Sequence, residues 1–250
     1  TLPEGTDSTL LVEFYADSAE AGKRKVADLL ADRLPGYEAA GDHSENGPRT
    51  DDAIQAVDAL EAYDDDRKAK FWKMRKSGLP ILLSRTGDEK HWPFVEDTAV
   101  PAENLPEYVA DIQELFDEHD TFASYYAHAG PGALHIRPLL NLKSEDGLET
   151  MEAISEAITD LVIEYDGSVS GEHGDGRART QWNRKLYGDD LWATFRELKS
   201  AFDPDWLLNP GNVCGDHDPT ETLRYDPDYT FEAGFEPTLN WDTENGFQGM

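Results

Sequence analysis

The chain has 250 residues, with 52 acidic side chains against 22 basic ones and a formal net charge of −30. That balance excludes non-specific binding of nucleic acid or anionic membrane, which needs a basic surface. A single cysteine, Cys214, excludes an intrachain disulfide, and no apolar run approaches the roughly 18 residues of a membrane span.

In chain order, Thr9 to Tyr15 predicts a strand, with Leu10, Val12 and Phe14 on one face. Ala19 to Leu34 follows as a helix, with Val26, Leu29, Leu30 and Leu34 at helical spacing. After a turn-rich stretch from Gly41 to Arg49, Asp51 to Gly78 has a helical pattern. Pro80 to Leu83 and Pro93 to Val95 are short strand candidates. Glu103 to His119 predicts a helix capped near Pro101 to Asn104. Phe122 to Ala127 and Leu134 to Leu142 predict two strands joined through Gly130-Pro131-Gly132. Glu145 to Tyr165 is an amphipathic helix with Met151, Ile154, Ile158, Leu161 and Val162 inward. A glycine-rich loop, Gly167 to Gly176, precedes a helix from Asp189 to Phe202, and Asn209-Pro210-Gly211 supplies a turn. This order of elements predicts an α+β fold, a ferredoxin-like antiparallel sheet with packed helices. Asp216 to Met250 lacks periodicity and is expected to be an extended tail or linker beyond a domain of residues 1–215.

Two constellations carry chemistry. Glycines around Pro131 allow a tight reversal, so His128 and His135 approach each other near the mouth of the hairpin. His135 and Arg137, two apart on one strand, project to one face. Further on, Ser170-Gly171-Glu172-His173-Gly174-Asp175-Gly176-Arg177 brackets a Glu-His pair with glycines. Two imidazoles and a carboxylate are an ordinary ligand set for zinc or another divalent first-row metal. The residues alone leave two bland readings open: histidines that merely bond to backbone, and a glycine loop that merely connects. The loop matches neither the Walker nor the Rossmann phosphate spacing.

Segments 128–138 (HAGPGALHIRP), 170–177 (SGEHGDGR) and 207–213 (LLNPGNV), with Trp72-Lys73-Met74-Arg75 and Val95 to Pro101, resemble the FAD-linked oxidase C-terminal domain. That family includes D-lactate, glycolate and D-2-hydroxyglutarate dehydrogenases. The resemblance covers roughly residues 8–215. It implies that His128, His135 and Glu172 are metal ligands and His173 the catalytic base. It also implies that Arg75 grips the substrate carboxylate. Arg137 stands where several relatives carry an asparagine that touches substrate, and Asn209 faces the flavin. Pro131 departs from the family, where many members have aspartate, and removes a carboxylate from the turn.

The form with Arg137 resembles most the large members fused to an iron–sulfur domain, which would follow the tail. The family's FAD cradle is a separate N-terminal domain. The expectation is therefore a fragment, inactive alone, of a flavin-dependent 2-hydroxy-acid dehydrogenase that uses FAD, zinc and a small anionic substrate. The acids lie within apolar-periodic segments such as Leu105 to Phe116, which fits a solvated acidic shell of a halophilic protein. Concentrated salt shortens the Debye length to roughly 3 Å at 1 M and relieves self-repulsion. A cytoplasmic location, peripheral to the membrane through electron-transfer partners, goes with this reading. Two other classes stay open on sequence: a non-catalytic metal-binding or partner-docking module of the same fold, and a metal-dependent hydrolase.

Overall fold

The computed structural model describes residues 6–37, 56–218 and 220–229. The chain divides into two compact units, one ending at Ile81 and one beginning at Leu82.

The first unit carries α1 (Ala19–Arg33) and most of α2 (Asp65–Leu83). Ser18 caps α1 by accepting from the Ala21 N–H at 3.2 Å, which satisfies one of the orphan donors of a helix start. Asp64 does the same for α2, accepting from the Arg67 N–H at 2.8 Å. That cap explains why the helix begins at Asp65, much later than its hydrophobic pattern predicts: residues 56–64 are non-helical, and 51–55 lie outside the described residues. The strand expected over Pro80 to Leu83 is instead the last turn of α2. A short apolar run fits either period, and a proline near a helix end removes only one ladder bond. Thr9 to Tyr15 carries no strand pairing. An apolar alternation needs a neighbouring strand to satisfy its backbone, and no described residue provides one.

Among the described residues, the second unit is built on four strands, β1 (Lys90–His91), β2 (Glu96–Ala99), β3 (Ala123–His128) and β4 (Ala133–Leu140). β3 pairs antiparallel with one side of β4, from Ala123↔Pro138 to His128↔Ala133. The other side of β4 takes β1 at Leu139 and Leu140, and β2 at Ala133 to His135. Between them the Trp92 N–H donates to Pro138 O at 2.9 Å, so residues 90–99 follow β4 as one irregular edge. Ser168 then bridges Ala99 antiparallel. With α3 (Leu105–Glu118) after β2 and α4 (Glu145–Glu164) after β4, the path is β-α-β-β-α-β and every pairing is antiparallel. This is the ferredoxin-like arrangement the order of elements predicts.

The helices cover one sheet face. Tyr108, Ile112 and Phe116 of α3 recur every four residues, as do Ile154, Ile158 and Val162 (with Met151) on α4, and all are buried. Apart from Met151, which packs with Leu140 and Leu142, they close on Leu134 and Ile136 of β4, with Val95, Val100 and Val169. Burying one such side chain contributes about 1.5–3 kcal/mol. The hairpin turn between β3 and β4 needs glycine at its last position. Gly132 has φ +77°, and a Cβ there would stand 1.9 Å from Val100 O, so no other residue fits.

α5 (Thr180–Phe202) breaks at Gly188, whose φ and ψ are 77° and 168°. The helix expected from Asp189 is its second half. The first half has no apolar stripe because its buried side chains are polar. Thr180 Oγ1 accepts from the Val213 N–H at 2.7 Å, and Asn183 Nδ2 donates to Val213 O at 2.8 Å. No described helix is long and apolar enough to cross a membrane.

Candidate metal centre

Strand alternation sends Leu134 and Ile136 into the core and leaves His135 and Arg137 on the opposite face of β4. Tyr126 pairs with His135 in the ladder and His128 lies two residues beyond it, so both share that face. The His128 and His135 rings stand perpendicular with centroids 5.3 Å apart. The hairpin therefore brings the two imidazoles together, as its glycine-proline turn predicts.

The second constellation reaches them through the bridge at Ser168. Gly167 permits the approach: a Cβ there would lie 2.4 Å from Ala99 O. The loop that follows is held by Asp97, a buried carboxylate on the β2 edge. It accepts from the His173 N–H at 2.7 Å, the Ser170 hydroxyl at 2.8 Å and the Glu172 N–H at 3.0 Å. Asp97 can do this because β2 carries a bulge: Glu96 pairs with His135 and Thr98 with Leu134, leaving Asp97 as the extra residue. Its φ of +73° is one that aspartate tolerates better than most residues. Burial pushes the Asp97 carboxyl upward, but the three donors outweigh it and hold the group below its ordinary value.

The result is convergence on one point. Glu172 Oε1 lies 3.0 Å from His135 Nε2, 3.3 Å from His173 Nε2 and 3.7 Å from His128 Nε2. Donors around a tetrahedral ion at about 2.1 Å stand about 3.4 Å apart, and the three contacts to Glu172 Oε1 fall near that value. Asp97, His135, Glu172 and His173 also offer ligand atoms within 4.8 Å of one another. The Asp97 oxygens already accept from the loop, and His128, outside that group of four, stands 3.7 Å from Glu172 Oε1. His135 is buried, whereas His128, Glu172 and His173 are half exposed, so the point opens to solvent on one side.

Behind the imidazoles lies Glu96, largely buried. Its Oε1 stands 2.9 Å from His173 Nδ1 and 3.2 Å from His135 Nδ1. The aligned hydrogen bond of His173 Nδ1 is to the other oxygen, Oε2, at 3.2 Å, whereas His135 Nδ1 is buried and has no aligned partner. The His135 and His173 rings stack at 5.2 Å with an interplanar angle of 16°. The bond to Glu96 raises the His173 pKa, against a smaller effect of burial, and the charges of Glu96, Asp97 and Glu172 add to the rise. Arg179 holds Glu96 in turn, with Nη2 3.5 Å from Glu96 Oε2. It also donates to Glu96 O and, at 3.3 Å, to Val169 O.

His128, His135, Glu172 and His173 are thus gathered as their motifs predict, and Arg137 lies on the same sheet face. Asn209, with φ +46°, is on the turn after α5 and is not a member of this cluster. Arg75 belongs to α2 in the first unit. Sequence reasoning missed the parts played by Glu96, Asp97 and Arg179. The first two had a visible signal, an acidic pair inside the apolar stretch Val95 to Val100. Arg179 had none.

A family model for FAD linked oxidases, C-terminal domain, matches residues 1–213, and the chain belongs to this family. A D-2-hydroxyglutarate dehydrogenase of Pantoea ananatis is 31% identical over 242 residues, 96% of this chain and 22% of that protein. One from Haemophilus influenzae is 36% identical over 154 residues, 62% of this chain and 15% of that protein. The glycolate oxidase subunit GlcD of Escherichia coli is 31% identical over 186 residues, 73% of this chain and 36% of that protein. The chain therefore spans between 15% and 36% of the length of these relatives.

Proposed function

We propose that this chain is the substrate- and metal-binding portion of a flavin-dependent D-2-hydroxy-acid dehydrogenase, with His128, His135 and Glu172 as ligands of a zinc ion. The observation that carries the reading is the convergence of three imidazole nitrogens on one Glu172 oxygen. The names of the relatives, for D-2-hydroxyglutarate and for glycolate, support a 2-hydroxy acid as the substrate class.

Arg137, two residues from His135 on the same strand face, is assigned to pair with the substrate carboxylate, for which a guanidinium offers bidentate geometry. Arg75 is assigned to substrate binding on the strength of its family motif, and Asn209 to the flavin side on the same ground. A zinc ion, when bound, acts as a Lewis acid that lowers the pKa of the substrate hydroxyl, and FAD, when bound, accepts the hydride from C2. His173 Nε2 takes the hydroxyl proton, and its Nδ1 bond to Glu96 steadies the imidazolium that forms. Two electrons and one proton leave C2 as hydride, one proton goes to His173, and a 2-oxo acid remains.

The FAD-binding domain is assigned to sequence outside this chain, upstream, so the chain alone is expected to be inactive. An iron–sulfur domain is placed downstream; the great length of the D-2-hydroxyglutarate dehydrogenases relative to the matched region, 15% and 22% of them, supports a multidomain protein. Two substitutions in the flavin-loaded protein test the reading. His135→Ala should abolish stoichiometric zinc by elemental analysis. His173→Ala should keep zinc and slow flavin reduction by about 10²–10⁴-fold. Full zinc content in the first, or normal reduction in the second, overturns the corresponding assignment. We read the charge of −30 as an adaptation to high salt in the cytoplasm, with association at the membrane through electron-transfer partners. The melting temperature should climb as KCl is raised towards molar concentrations; a salt-independent melt removes the halophilic reading.

A further inference from the structure

Among the described residues, the Glu96 side chain touches both a proposed ligand and the proposed base from behind. We infer that Glu96, braced by Arg179, is a positioning residue that sets the orientation of His135 and His173 together, directing both Nε2 atoms to the cation site. The inference rests on the metal reading above and adds a residue to which that reading gives no role.

Three observations carry it. First, one carboxylate faces the Nδ1 atoms of both rings: Oε2 is hydrogen-bonded to His173 Nδ1 at 3.2 Å, and Oε1 stands 2.9 Å from His173 Nδ1 and 3.2 Å from His135 Nδ1. Nδ1–H directed at a carboxylate leaves Nε2 with its lone pair free, and each of these Nε2 atoms faces Glu172 at 3.0 and 3.3 Å. Such a carboxylate behind an imidazole selects the tautomer and raises the basicity of the ring. Second, the carboxylate is itself fixed: it is largely buried, and Arg179 holds both its side chain and its own backbone carbonyl. A shared anchor can direct two rings only if it does not swing. Third, the backbone is shaped for it. The bulge places Glu96 opposite His135 in the ladder while turning the adjacent Asp97 to the loop that carries His173. Adjacent acids thus divide the work, Asp97 holding the loop backbone and Glu96 its ring. His135 Nδ1 is buried without an aligned hydrogen-bond partner, and the Glu96 carboxylate stands 3.2 Å from it.

A merely structural Glu96, an ion-pair partner of Arg179, would affect folding but not ring tautomers. The test therefore uses Glu96→Gln in the flavin-loaded protein and reads three quantities: zinc affinity by chelator competition, the split of kcat from KM, and long-range ¹H–¹⁵N spectra of the imidazoles. Expected are a zinc affinity lowered by about 10–100-fold and a fall in kcat with KM nearly unchanged. The Nδ1–H signals of His135 and His173 should both move. Wild-type zinc affinity with unmoved imidazole signals overturns the inference. His135→Ala run in parallel separates the two claims: if it retains zinc, the metal reading itself fails, whereas loss of zinc there with a silent Glu96→Gln defeats the positioning role alone. Should Glu96→Gln lose its native circular dichroism, Glu96→Asp keeps the charge but shortens the reach to two rings. Its zinc affinity should fall at least 10-fold, and an unchanged value overturns the inference equally.

Discussion

The two faces of β4 make opposite use of neighbouring residues. Leu134 and Ile136 enter a sealed apolar layer under α3 and α4, while His135 and Arg137, one residue away in each case, stand on the open face with His128 and Tyr126. A core can tolerate a hydrophobic swap of similar volume. The open face depends on a few polar atoms placed to within tenths of an ångström. Loss of a buried aliphatic side chain should therefore cost stability, and loss of a site residue should cost ligand binding with the fold retained.

Ile136→Ala breaks the comparison hardest. The side chain is fully buried, so its loss should destabilise by about 2–5 kcal/mol in urea unfolding, whereas His135→Ala next to it should change stability far less in the absence of metal. Equal losses would mean that the two faces are not separable. Gly132→Ala probes the turn that joins the hairpin. With φ +77° and Val100 O in the way, strain of about 1–3 kcal/mol is expected, together with a displaced His128 and weaker zinc binding. Asp97→Asn sharpens the comparison on the site side. It keeps the shape but exchanges a charged acceptor of three hydrogen bonds, at a cost of about 1–3 kcal/mol, and hydrogen exchange at the Glu172 and His173 amides should quicken before the core responds.

The smallest effect is expected far from the site, at Asp203. The Lys199 ammonium at 2.6 Å, with the Leu208 and Leu207 N–H groups, holds its carboxyl below the ordinary range. A depressed folded pKa gives stability that is present above the ordinary carboxylate pKa and lost as pH falls through the folded value. Asp203→Asn should lower the melting temperature near neutral pH and flatten its decline in acid; a parallel decline in both proteins would remove Asp203 as a contributor.

The legibility of this molecule followed the kind of pattern each part leaves. α3 and α4 bury aliphatic and aromatic residues at helical spacing, and the hairpin has its glycines, so both could be read. The first half of α5 buries Thr180 and Asn183 against a turn and leaves no apolar stripe to find. Thr9 to Tyr15 shows the reverse case, a strand-like alternation with no strand partner among the described residues. At the site, His128, His135, Glu172 and His173 could be nominated because glycine-flanked histidines are chemically conspicuous. Glu96 and Asp97 left only the weaker signal of an acidic pair inside an apolar stretch, and Arg179 left none, because a base among so many charges acquires a role only from what stands opposite it.

Composition and motif by themselves determined the acidic surface, the α+β order of elements and the family. Local chemistry, glycine for reversal and imidazole for ligation, also named the four residues that converge. Only the tertiary structure decided that a bulge at Asp97 would split two adjacent acids between a loop and a pair of rings. The reason is that register between distant strands is set by packing of the whole sheet, and a shift of one residue would send Glu96 to the core face.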